Sequence, residues 1–197
     1  MMTSLRRPGR GYRGAVELEA EIAAAAARAR ALADTDEELV GVIAAEPGGG
    51  VRVYLCAYGV GESRRWLALD ASGTPIVDRR AVRDAVAIAA MCELAEESAG
   101  GGDVGELRAR LVELRLTENP EGIDEAEVAA AELQETLAAS PRVASVAYLD
   151  AIGVAAARLE QALGGGGSPF AEAMKLGVGA AEDLAVEVER TYKAPLR

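Results

Sequence analysis

Three short runs between residues 38 and 70, ELVGVIAAE, VRVYLCAYG and RRWLALD, interrupt a chain whose apolar residues otherwise recur with the period of a helix. They are β-branched or aromatic and parted by Gly-rich turns, the pattern of strands joined by tight connections. In the second run Val51, Val53, Leu55 and Ala57 alternate with Arg52, Tyr54, Cys56 and Tyr58. A strand there shows one set to each face of a sheet. EPGGG ahead of it can close a hairpin, and DASGTP after the third run can turn the chain into an edge segment around Ile76, blunted by Pro75. The expectation is an antiparallel meander of three to four strands, which is too small to stand without helices packed on it.

The remainder reads as helix. Residues 14–34 set Leu18, Ile22, Ala25, Ala29 and Leu32 along one face. Asp78 can cap a helix that carries an unbroken apolar run, Ala85 to Cys92, and a helix apolar all round is normally central. Further stripes follow at Leu107, Leu111 and Leu114, in IDEAEVAAAELQETLAAS, at Leu149, Ile152, Ala156, Leu159 and Leu163, and from Pro169 onward. Small residues on the last two, Ala151, Gly153, Gly177 and Gly179 among them, predict that these helices pack closely on each other as a hairpin, with a subunit interface as the alternative. The fold class is therefore α+β: one N-terminal helix, the antiparallel three- to four-stranded meander, then a bundle of about five helices, with helices on one face of the sheet. Residues 1–13 carry Arg6, Arg7, Arg10 and Arg13 and no acid, and read as a flexible basic arm. Residues 14–193 read as a single domain, with a possible sub-boundary at 100–103.

What the chain lacks bounds its chemistry. No histidine occurs among its 197 residues, so imidazole bases, Ser-His or Cys-His pairs and His metal ligands are excluded. Cys56 and Cys92 are far apart in the sequence and set among apolar neighbours, which fits inert buried thiols rather than zinc ligands or a disulfide. GGGGSP at 164–169 is followed by no GK[ST], so it is no P-loop. A net charge of −11, more negative still outside the arm, argues against nucleic acid as a partner. With no long apolar span and no leader pattern, no membrane contact and a cytoplasmic setting are expected.

Two constellations remain. Arg52, Tyr54, Tyr58, Arg64, Arg65 and Trp66 would lie near one another on the meander. Tyr, Trp and Arg are the residue types enriched at binding hot spots, so an interaction surface is expected there, with burial beneath the first helix as the rival. Glu93 and Glu96 fall about 60° apart on the helical wheel and could hold Mg²⁺ if a facing helix supplied a second acidic pair, Asp124, Glu125, Glu127, Asp150, Glu182, Asp183 and Glu187 being the candidates. No stretch reaches the level of a family motif. The expected function is a non-enzymatic protein-interaction or regulatory module without a cofactor; the alternative is a Mg²⁺-dependent nucleotide phosphohydrolase. The number of apolar helical stripes further suggests a homodimer.

Overall fold

The structure is a computed structural model and describes residues 10–61, 63–99, 104–118, 120–139, 143–164 and 169–193. The chain runs α1 (Arg10–Ala31), β1 (Glu38–Glu46), β2 (Val53–Val60), β3 (Ser63–Leu69), α2 (Arg79–Ser98), α3 (Val104–Thr117), α4 (Ile123–Ala138), β4 (Val143–Ser145), α5 (Val146–Ala162) and α6 (Pro169–Arg190). The fold is α+β, one helix, a four-stranded mixed sheet and five further helices. Arg10 and Arg13 of the expected arm belong to α1, and residues 1–9 and the 100–103 sub-boundary lie outside the described residues.

The sheet order is β3-β2-β1-β4. The three runs read as strands form an antiparallel meander, with Leu55 opposite Ile43 on one side and opposite Ala68 on the other. The fourth strand differs from expectation. Around Ile76 there is only a bridge between Leu69 and Pro75, with the Ile76 N–H donating to the Ala68 carbonyl at 2.8 Å. The fourth place is taken by Val143–Ser145, which returns after α4 and lies parallel to Ala44–Glu46. Ser145 closes β4 and caps α5, its hydroxyl accepting from the Tyr148 N–H. Asp78 caps α2 in the same way, accepting from the Arg80 N–H.

Helices cover both faces rather than one. α1 lies across β1, β2 and β3, and α2 lies across β1, β2 and β4. Residues on α1 face the even-numbered side chains of β2: Tyr58 donates to the Ala29 carbonyl at 2.8 Å and Tyr54 to the Glu21 carboxylate at 2.7 Å. Buried side chains of both faces and of the helices form one continuous core.

The partner of α6 also departs from expectation, since it packs chiefly on α2 and only marginally on α5. Gly177 shows why. A Cβ there would stand 1.7 Å from the Leu94 side chain, so the absence of one lets α6 settle onto α2. The cost of Gly inside a helix, about 1 kcal/mol against Ala, is offset by that contact.

Candidate functional site

The six residues expected on one surface are divided by the sheet. Arg52, Tyr54, Tyr58 and Arg65 stand on the α1 side, Arg64 and Trp66 on the α2 side, as their register requires. Tyr54 and Tyr58 are buried beneath α1, the rival arrangement to an exposed surface. Their hydroxyls are satisfied internally, so they are core residues with a polar end.

The α1 side is held by ionic clusters. Arg52 binds Glu46 at 2.7 Å and also the Glu21 carboxylate that Tyr54 reaches. The Tyr54 and Arg52 hydrogen bonds hold the Glu21 carboxyl below its ordinary value. Burial works against the charge on Arg52, but its Glu46, Glu21 and Tyr54 bonds outweigh it and raise its pKa. At the other end Lys193 meets the covered Glu37 side chain at 2.6 Å and Asp34 at 3.2 Å, and sits 5.3 Å from the Tyr58 ring centroid. Arg65 joins Glu37 at 3.3 Å. Burial pushes the Glu37 carboxyl up, yet the Asp34 N–H and Lys193 overcome it and leave the pKa lowered.

The α2 side is different because α2 covers only part of it. Nine residues separate β3 from α2, and the Cys92 thiol of α2 reaches the Ser145 carbonyl, so the helix crosses toward β4 and leaves Val40 and Ile43 exposed. A groove of about 560 Å³ results. Ile43, Leu55 and Trp66 form its floor, Val86 and Ala89 of α2 and Leu184 of α6 its walls, and Arg64, Glu93, Glu96 and Tyr148 its polar rim. Ile43 is 45% exposed, Leu184 39%, and neighbouring Val40 62%. The groove thus gathers two of the expected surface residues, Arg64 and Trp66, with both carboxylates of the expected metal pair.

That pair is not arranged as a metal centre. Glu93 points to solvent, while Glu96 is half-buried and accepts a hydrogen bond from the Tyr148 hydroxyl at 2.7 Å. Among the described residues no group of three or more Asp, Glu or Cys side chains could hold a metal ion. Of the facing acids proposed from sequence, Asp124 and Glu127 pair with Arg115, at 4.0 and 3.0 Å, and Asp150 lines a groove between α4 and α5. Nor are the thiols activated, since burial pushes Cys56 up to about 12 and raises Cys92 as well.

Tyr148 and Ile43 were not singled out in the sequence. Tyr148 carried a usable signal, being the residue four before Ile152 on the same helical face; Ile43 looked like any other strand residue. No protein-family model, no curated protein and no solved structure matches this chain.

Proposed function

We propose that the protein is a non-enzymatic interaction module that holds an extended segment of a partner protein along β1 and over the α2-side groove. One observation carries this reading. Among the described residues no strand pairs with Glu38–Ile43 on the β4 side of β1, and an apolar floor lies beside that stretch. An unpaired edge of this kind accepts an added strand, with the backbone supplying affinity and flanking pockets choosing alternate side chains. Ile43, Trp66 and Leu184 suit an apolar side chain of that strand, and Glu93 and Glu96, against a single Arg64, suit a Lys or Arg beside it. Two free buried cysteines accord with a reducing, cytoplasmic setting, and no helix among the described residues is long and apolar enough to cross a membrane.

The test is selection of displayed random ten-residue peptides on the full chain, with the Ile43→Arg chain as counter-target. Ile43 is exposed, so the variant keeps its fold. Peptides with alternating apolar residues and a basic residue are expected to bind with micromolar Kd and at least tenfold more weakly to the variant. Selected peptides that bind both chains equally overturn the reading. If light scattering gives twice the chain mass, and Ile43→Arg restores the monomer, the occupant is a second copy rather than a different protein.

A further inference from the structure

A second groove runs between α4 and α5, away from the sheet. Two adjoining cavities of about 590 and about 870 Å³ share Glu132 and Arg158, whose side chains meet across the groove at 2.9 Å. Its apolar surface includes Val128 of α4, 60% exposed, and Val154 of α5, 55% exposed. Asp124, Glu125, Glu135 and Asp150 line it with Glu132, and Arg158 is the one basic residue among the lining side chains. An apolar floor under such a rim fits a basic segment with an apolar side chain.

The N-terminal residues are such a segment. Residues 1–9, MMTSLRRPG, bring Arg6, Arg7 and Leu5 and no acid, in a molecule of net charge −11. The course of α1 delivers it to the right end of the fold. Glu21 meets Arg52, Arg52 meets Glu46, and Glu46 lies in register with Ser145, the cap of α5. Because Ala29 sits at Tyr58 toward the other end of β2, α1 continues from Glu21 back to Arg10 past the end of the sheet where α5 begins. That is about 16 Å of helix. Ser145, Ala147 and Asp150 line the start of the groove at that end. Residues 5–9 reach about 16 Å beyond Arg10 when extended, and all nine residues about 30 Å.

We propose that the α4–α5 groove is the docking site of the chain's own basic N-terminal segment, with Arg6 and Arg7 paired to its carboxylates and Leu5 on the Val128 and Val154 surface. Arg suits this role because its planar fork binds carboxylates through two parallel hydrogen bonds.

The experiment uses the full chain with Ser4→Cys carrying a nitroxide label, the two native thiols being buried. In ¹⁵N-labelled protein the Val128 and Val154 amide signals are expected to broaden. Adding Arg6→Glu and Arg7→Glu returns them to background, as does raising the salt to about 1 M. Mixing spin-labelled, isotopically unlabelled chain with ¹⁵N chain lacking the label gives no broadening if the contact lies within one molecule. The absence of broadening in the first sample, its persistence in the charge-reversed variant, or its appearance in the mixture each overturns the proposal, the last by moving the segment onto a second copy.

Discussion

Tyr58 shows how a polar side chain becomes part of an apolar core. Its ring is fully buried and its hydroxyl takes the Ala29 carbonyl as acceptor, so Tyr58→Phe removes one internal hydrogen bond and should cost about 1 kcal/mol in urea unfolding. Lys193 is a larger matter. It stands against a Glu37 side chain with no exposed surface, and Lys193→Met strands that carboxylate with fewer partners. The expected loss is about 2–3 kcal/mol, below the ~3–5 kcal/mol of a fully buried pair because Arg65 and the Asp34 N–H remain. The same cluster gives acid sensitivity. Glu21 and Glu37 both lie below the ordinary 4.5 in the folded chain, so on acidification the unfolded chain takes up protons first. Their contribution is complete above about pH 4.5 and is lost as pH falls through the folded values. Urea midpoints measured from pH 7 to pH 3 should fall below pH 4.5, and less steeply in Glu37→Gln. From the sequence the alternation of Arg52, Tyr54, Cys56 and Tyr58 was plain. Which parity α1 would cover was not, because the acceptor that settles Tyr58 is a backbone carbonyl that no residue type marks.

The elements were legible in proportion to their length. α2 was evident from Asp78 and its apolar run, and β1 from ELVGVIAAE, which it matches end to end. β4 has three residues, too few for any alternation to show, and its parallel pairing to β1 depends on where α3 and α4 return the chain. Of the small residues on α6, Gly177 does lie at a close contact while Gly179 has open space beside it, and the contact is with α2 rather than α5, since sequence spacing gives a helix its stripe and not its neighbour. Gly177→Ala tests this contact. The added methyl must displace Leu94, and overpacking of about 1–3 kcal/mol exceeds the roughly 1 kcal/mol gained in helix propensity. Combining it with Leu94→Ala should cost less than the two separate losses added together, measured as a double-mutant cycle in urea; strict additivity would put Leu94 out of contact.

At the scale of the whole molecule, a mixed sheet lies between α1 and α2, and the two coverings are unequal. α1 is tied down by its ionic clusters and tyrosine hydroxyls, whereas α2 leaves the sheet open beside Ile43 and Trp66. The apolar stripes that suggested self-association are in part consumed internally: Leu159 is 7% exposed, while Leu184 remains at the groove. Leu184→Glu should therefore weaken partner binding at least tenfold with little change in thermal midpoint, whereas Leu159→Glu should unfold the chain. The candidate site was only half visible in the sequence, because Arg64, Trp66, Glu93 and Glu96 were each noticed, yet they come from separate segments and meet only through the crossing of α2 over the sheet. Whether β1 takes an added strand is tested most directly by amide hydrogen exchange over Glu38–Ile43, with and without a saturating selected peptide. Pairing predicts that the N–H groups on the β4 side of β1 slow at least tenfold on binding while those already paired to β2 do not change. Binding that leaves all of these amides unaltered would contradict the account.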